Sequence, residues 1–545
     1  MKIKNGTYVL VVVISFVLGY VDCFSQGDIE AAEWKESESE YHARMKAWND
    51  ARFGLFMHWG VYATFGGEYN GTDHGKECAN ASAEHIFKTG DMPVEEYRQA
   101  ARNFNPIHFD PDEWVTMAKD AGMKYMVLTA KHHDGFGLFD SKASDWNIVH
   151  ASDYKKDLIK DYVDACHKQG MLVGFYYSHN ADWFHNASSP RQSRSAPRPQ
   201  SMEYKEFVMI QLKELLTQYG KIDILWFDTP SKTDIEFNKS CAAMVRKYQP
   251  ECIINGRIGH DLGDYVSGGD RAVVEPGKQG YKESIMTMRL NWGYDKNDDF
   301  WKSSDELIAM LSQSACRGSN FMLNIGPTPL GTFPPEDRAR LNALGKWMKI
   351  NGEAIYSTEG SPFPKEYSWG SFTFNPDTRK VYLHLYNWTG GDITVEGIDS
   401  KVAKAYFLDN GDALEFSRNG GSNDLNISLP VLSKEKSLRI IALELEGDLK
   451  TDPANGPDFI PPTIRHLKFR KIEGTIKNLG PCEFQIDGKM TFSLNDQVRY
   501  RINSSGDIRK VLGFDLDEEK TYEVVYSPYP DEPVLEIITL LENER

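Results

Sequence analysis

The sequence predicts an α/β chain built on a (β/α)-barrel, followed by a β-sandwich and a further small C-terminal β-domain. Three observations carry this prediction. Six short apolar runs recur at Phe53–Met57, Tyr125–Thr129, Leu172–Tyr177, Ile222–Phe227, Cys252–Asn255 and Phe321–Ile325. Amphipathic helical stretches separate them, which is the alternation of a parallel sheet covered by helices. Beyond Tyr356 that alternation stops, and short strand-like runs are spaced by Gly, Asn and Asp.

Taken in order, the chain opens with Lys2 and Lys4, an apolar run from Tyr8 to Val21, and Cys23-Phe24-Ser25 before Gln26. Charge, apolar segment and small-residue cleavage site in that order read as an export signal over residues 1–25. The run is short for a membrane span, and Asp22 disfavours a lipid anchor through Cys23. The expected location is periplasmic or secreted, with no membrane span.

Residues 26–355 are the expected barrel. Val208, Leu212, Leu215, Leu216 and Tyr219 fall on one helical face. Asp112-Glu113 after Pro111 open another helix, and Gly122 closes it just before a strand. Six such units in about 300 residues suit a closed barrel better than an open sheet. The Ser/Pro/Arg-rich stretch Ser188–Pro199 is expected as a loop near the rim. Residues 356–448 form the expected sandwich, with strands at Val381–Tyr386, Asp392–Val395, Ala405–Leu408, Leu425–Leu429 and Leu438–Leu445. Residues 449–462 read as a linker, and 463–545 as a small β-domain with strands at Phe484–Ile486, Val498–Ile502, Tyr522–Tyr526 and Val534–Leu540.

Composition excludes some functions. A formal net charge of −17 leaves no basic stripe to neutralise phosphates, so a nucleic-acid partner is not expected. Cys78, Cys166, Cys241, Cys252, Cys316 and Cys482 form no C-x-x-C pair, which argues against a thiolate zinc site. Packed free thiols are expected, with one disulfide through Cys78 as the alternative.

In a parallel barrel, the residues that end each strand converge on one mouth. The runs here end in His58-Trp59, Lys131-His132-His133-Asp134, Tyr176-Tyr177-Ser178, Trp226-Phe227-Asp228 and Asn255-Gly256-Arg257. Polar, aromatic and ionisable groups at five consecutive strand ends point to a catalytic mouth. Asp228 is the sharpest of them, because a carboxylate ending an apolar run loses solvation unless donors hold it. A turn-capping aspartate is the plainer alternative. His132 and His133 invite a metal, but adjacent residues on an extended chain diverge, so no metal is expected.

These segments have a family resemblance. Phe53–Gly60, Lys131–Phe136 and Leu225–Asp228 resemble the α-L-fucosidases of glycoside hydrolase family 29. So do Phe104-Asn105-Pro106, Tyr177-Ser178 with Asp182-Trp183, Trp292-Gly293-Tyr294 and Leu323–Pro327, in order between Arg52 and Ser357. The resemblance implies a retaining exo-hydrolase of terminal α-L-fucose, acting on a fucosylated oligosaccharide or glycoconjugate without a cofactor. Position by position, it implies Asp228 as nucleophile. It also implies His58, Glu68, His132, His133, Tyr176 and Arg257 around the sugar hydroxyls and the nucleophile. Trp292 falls on the sugar's methyl side. Tyr69 stands where tryptophan is usual.

Retention needs a second carboxyl about 5–5.5 Å from the nucleophile. The resemblance places it at Glu283, nine residues before Trp292, with Glu275 and Asp270 as alternatives. Lys282 beside Glu283 would favour the ionised form unless it points away. Two rival readings remain at this level: a fucose-binding relative without catalysis, and a hydrolase of a related sugar such as galactose.

Overall fold

The computed structural model describes residues 34–75, 82–185, 202–229, 234–386, 388, 391–418, 424–430 and 438–459. It adds the backbone of five strands beyond residue 469. The expected export signal, Cys23, Cys78, Cys482, the Ser188–Pro199 stretch and the Val498–Ile502 run lie outside the described residues.

Helix α1 (Glu38–Ala51) precedes the barrel, started by a capping box between Ser37 and Glu40. Strand β1 (Phe53–Met57) follows, then the hairpin β2 (Glu68–Tyr69) and β3 (Thr72–Asp73). Helices α2 (Ile86–Thr89), α3 (Val94–Asn103) and α4 (Pro111–Asp120) lead to β4 (Tyr125–Lys131). The Asp110 side chain caps α4 through the Glu113 N–H, with Pro111 in the first turn. Then come α5 (Ile148–Ala151), α6 (Leu158–Gln169), β5 (Leu172–Ser178), α7 (Met202–Thr217), β6 (Ile224–Asp228), α8 (Ile235–Tyr248) and β7 (Ile253–Ile254). Strands β8 (Val266–Ser267) and β9 (Lys282–Thr287), helix α9 (Ser304–Cys316), β10 (Ser319–Ile325) and α10 (Pro335–Asn351) complete the unit.

The eight barrel strands are parallel, in the order β7-β6-β5-β4-β1-β10-β9-β8. The two ends of this order meet through a bridge between Asn255 and Tyr265 and the Asp264 N–H on the Ile254 carbonyl at 2.7 Å. Two of the eight strands escaped the six-run reading. Strand β8 has only two residues, and β9 mixes Lys, Glu, Ser and Thr with its apolar positions, so neither looks like a buried parallel strand.

Phe56, Val127, Tyr176, Trp226, Ile285 and Met322 fill the barrel interior. From below, α1 inserts Trp48, whose ring centroid lies 4.3 Å from that of Tyr265 and whose carbonyl accepts from Asn320 Nδ2 at 2.7 Å. Tyr125 needs Gly54 opposite it, since a Cβ there would come within 2.3 Å of the Tyr125 ring. A second apolar layer lies between strands and helices and includes Val208, Leu212, Leu215 and Leu216 of α7, as the helical spacing requires. Cys166, Cys241, Cys252 and Cys316 are buried free thiols.

Strands β11 (Glu359–Gly360), β12 (Ser371–Asn375), β13 (Lys380–His384), β14 (Ile393–Val395), β15 (Val402–Phe407), β16 (Phe416–Arg418), β17 (Leu425–Ile427) and β18 (Ile440–Leu445) form two antiparallel sheets. Phe372, Leu383 and Leu443 from one sheet share a core with Ile393, Val395 and Leu425 from the other, which is a sandwich. The opposite face of the larger sheet packs on the barrel through Tyr382, Ile440 and Ala442. Arg317 and Glu366, a buried pair at 2.6 Å, tie the two units together. The last strands, β19 (Arg470–Gly480), β20 (Glu483–Ile486), β21 (Met490–Ser493), β22 (Thr521–Tyr526) and β23 (Leu535–Leu541), make one antiparallel sheet. No helix among the described residues is long and apolar enough to cross a membrane.

Candidate active site

On β6 alternate side chains face the barrel axis, so Ile224, Trp226 and Asp228 rise in single file toward the mouth. Asp228, the last, accepts from Tyr176 Oη at 2.8 Å and from Arg257 Nη1 at 3.1 Å. His133 Nε2 lies 3.5 Å from its Oδ2. Thr229 takes φ 58°, costly for a β-branched residue, and this turn brings its N–H back onto the carboxylate. Burial alone would push the Asp228 carboxyl up. Arg257, His133, the Thr229 N–H and the Tyr176 hydroxyl outweigh it and hold the group well below the usual carboxylate range.

A ring cluster stands around this carboxylate. The His58 ring centroid lies 5.0 Å from that of Trp292, 5.2 Å from Tyr176 and 5.4 Å from His132. Asn324 orients two of these groups at once. Its Nδ2 donates to the Trp292 carbonyl at 2.8 Å, so its Oδ1 accepts from His58 Nδ1–H at 2.7 Å and fixes the His58 tautomer. Burial lowers the His58 pKa and keeps that ring neutral. Similarly, Ser178 Oγ donates to the Ala181 carbonyl and accepts from His133 Nδ1–H, both at 2.7 Å. That leaves His133 Nε2 facing the mouth. Below the rings lies a buried ion pair, Lys131 Nζ to Asp182 at 3.0 Å, and the Trp183 N–H donates to the His133 carbonyl at 2.7 Å.

His58, His132, His133, Tyr176, Asp228, Arg257 and Trp292 are thus brought together. Glu68 and Tyr69 are not held there. Glu68 is an exposed hairpin residue paired with Lys296 at 2.9 Å, and the Tyr69 hydroxyl donates to Glu96 at 2.8 Å. The buried acid beside the rings is Glu84, which accepts from the Gly293 N–H at 3.0 Å, next to Trp292. His85 joins the cluster, with centroids 5.9 Å from His132, 5.7 Å from His133 and 5.2 Å from Trp183. Sequence reasoning missed both. The one available signal was that a glutamate followed by a ring occurs twice between His58 and Thr89, as Glu68-Tyr69 and as Glu84-His85.

The expectation that Glu283 faces Asp228 also needs correction. Glu283 is the second residue of β9 rather than a loop residue, and it is fully buried. Trp226 Nε1 donates to its Oε2 and Tyr125 Oη to its Oε1, each at 3.0 Å. Trp226 occupies the layer beneath Asp228, so its indole separates Glu283 from the mouth. Burial raises the Glu283 carboxyl to about 7, against the hydrogen bonds from Trp226 and Tyr125. Lys282, one position away on the strand, has its amine on the Lys278 carbonyl.

Of the alternatives, Glu275 follows Val274, whose N–H donates to Ser284 Oγ and whose carbonyl accepts from Arg317 Nη1, both at 3.0 Å. Ser284 lies in the lower half of β9 and Arg317 just after α9, before β10 begins, away from Asp228. Asp270 is different. Arg257 Nη2 donates to its Oδ1 at 2.5 Å while Nη1 holds Asp228, so one guanidinium bridges the two carboxylates. Asp270 is half exposed and its charge is felt at His58. Partial desolvation and the Asp228 charge push the Asp270 carboxyl up, but Arg257 prevails and the net shift is downward.

The argument against a metal also changes. His132 begins a turn closed by the Gly135 N–H on its carbonyl at 3.0 Å, so the His132 and His133 rings come to 4.2 Å centroid to centroid instead of diverging.

Residues 24–353 match the family model described as Alpha-L-fucosidase. Tissue alpha-L-fucosidase of Mus musculus is 30% identical over 462 residues, covering 80% of this chain and 92% of its own. Alpha-L-fucosidase isoenzyme 1 from Paenibacillus thiaminolyticus superposes with a TM-score of 0.65 at 30% identity, over 74% of this chain and 99% of its own. An alpha-L-fucosidase from Bacteroides thetaiotaomicron, caught as a trapped covalent intermediate with 2-fluoro-fucosyl fluoride, gives a TM-score of 0.66 at 30% identity, over 76% and 98%.

Proposed function

The chain belongs to the α-L-fucosidases of glycoside hydrolase family 29 and is a retaining exo-hydrolase of terminal α-L-fucose, and we propose that Asp228 is its nucleophile and Asp270 its acid/base. The observation that carries this assignment is the Arg257 bridge. A single guanidinium between the two carboxylates is compatible with the ~5–5.5 Å separation that double displacement needs.

His58, His132, His133 and Glu84 hold the sugar hydroxyls, and Trp292 packs against the methyl side. Asp228 attacks the anomeric carbon as the bond to the leaving oxygen breaks, and Asp270 gives that oxygen its proton. A water molecule then loses a proton to Asp270 and displaces Asp228, so two inversions restore the α configuration. Arg257 lowers both carboxyls and so favours their charged forms. When the sugar draws Arg257 toward Asp228, Asp270 loses its counter-charge and is left beside a like charge, and both effects favour its neutral, proton-donating form. Release of nitrophenol from 4-nitrophenyl α-L-fucoside, followed by proton NMR, tests the reaction. α-L-Fucose should form first, whereas first appearance of the β anomer would exclude double displacement.

Export also belongs to this reading. The Lys2–Ser25 segment directs the chain to a periplasmic or secreted location, and N-terminal sequencing of the exported protein should begin near Gln26.

A further inference from the structure

We propose that His85, His132 and His133 form a binding site for one divalent transition-metal ion, Zn²⁺ being the probe of choice, occupied in competition with the sugar. One ligand nitrogen from each ring lies within 4.8 Å of the others, and all three residues are buried. A tetrahedral zinc with nitrogen at about 2.0–2.1 Å places its ligands about 3.4 Å apart, so the rings need to draw in by no more than ~1.4 Å. The turn at His132–Gly135 is what lets two neighbours in sequence serve one ion, and η-type backbone at Ala83–His85 delivers the third ring from a separate segment.

The surroundings suit a cation. Ser178 accepts from His133 Nδ1–H and so holds the ring with its Nε2 edge turned inward. Asp228 Oδ2 lies 3.5 Å from that nitrogen, and Glu84 Oε1 lies 3.9 Å from His85 Nε2, so two carboxylates would flank the ion. Imidazole nitrogen with nearby carboxylate is a donor set that favours Zn²⁺, Cu²⁺ or Ni²⁺ over Mg²⁺ or Ca²⁺. The fourth position would be water. The competition with sugar rests on the assignment of His132 and His133 to the fucose hydroxyls; the site itself does not.

Calorimetric titration of the full chain, freed of metal with a chelator, tests the proposal. One Zn²⁺ per chain should bind, the H85F variant should bind it at least tenfold more weakly, and H150Q, at an exposed position, should bind as the parent does. Saturating L-fucose should weaken the parent's zinc affinity at least tenfold. Equal melting temperatures and circular dichroism confirm that H85F is folded. Zinc binding unchanged in H85F, no one-site isotherm in the parent, or no effect of fucose would overturn the proposal. Nitrophenyl fucoside turnover in chelator reports separately on the hydrolase reading.

Discussion

The Trp226 indole donates to Glu283 at 3.0 Å from directly beneath Asp228, and that one contact keeps the Glu283 carboxylate below the mouth that Asp228 faces. Glu283 holds the ring that floors the site. A face of that ring carries the Arg257 guanidinium, 4.9 Å from its centroid, and Arg257 in turn grips both mouth carboxylates.

Loss of the nucleophile should be severe. Asp228→Ala is expected to lower kcat on 4-nitrophenyl α-L-fucoside by at least about 10³-fold. Added azide should restore part of the turnover and yield β-fucosyl azide, the product of a single inversion. Azide-independent activity near the parent level would remove Asp228 from that role.

The two candidate proton donors should separate by leaving group. Asp270→Asn should slow hydrolysis of a fucosyl disaccharide by about 10²–10⁴-fold while sparing fucosyl fluoride, which needs little protonation. Glu275→Gln should slow neither. If Glu275→Gln shows the leaving-group dependence and Asp270→Asn does not, the assignment is reversed.

Glu283 should report through stability. Its carboxyl is raised from 4.5 to about 7 by burial, so the folded state holds the proton more tightly than the unfolded chain. The stability this contributes is fully present below pH 4.5 and is lost as the pH rises through about 7. The change is of the order of 3 kcal/mol. Glu283→Gln, which cannot ionise, should lose less stability than the parent between those limits in urea titrations. Parallel pH profiles for the two proteins would contradict the burial argument.

Asn324 should matter more for turnover than its distance from the chemistry suggests. Asn324→Ala removes the acceptor for His58 Nδ1–H and leaves the Trp292 carbonyl without its donor. A cost of about 1–3 kcal/mol is expected, seen as a roughly ten- to hundredfold drop in kcat/KM. An unchanged kcat/KM would show that His58 keeps its orientation without help.

Gly54 should tolerate no side chain. A Cβ would meet the Tyr125 ring at 2.3 Å, so Gly54→Ala should lower stability by about 1–3 kcal/mol through overpacking. Thermal melting decides it.

Much of this was legible in the chain itself, for identifiable reasons. A parallel strand buried on both faces must be apolar, so six barrel strands announced themselves, and their last residues named most of the mouth: His58, His132, His133, Tyr176, Asp228 and Arg257. Strand β9 broke that rule because its inward Glu283 meets the Trp226 and Tyr125 hydrogen-bond donors instead of hydrocarbon, so no apolar run marks it. Glu84 and His85 were missed because they arrive on a short helical turn between strands, where no periodicity marks an inward face.

What the sequence determined by itself was the architecture, the family and the place of Asp228 at the end of a barrel strand, since each depends on residue types at regular spacing along one segment. What only the tertiary structure decided was which carboxylate Arg257 links to Asp228 and which third imidazole joins the cluster. Proton transfer and metal binding depend on separations of a few ångströms between different segments. Asp270 reaches Asp228 through Arg257, and His85 reaches His132 and His133 across the mouth, only once the strands have curled and set those loops side by side.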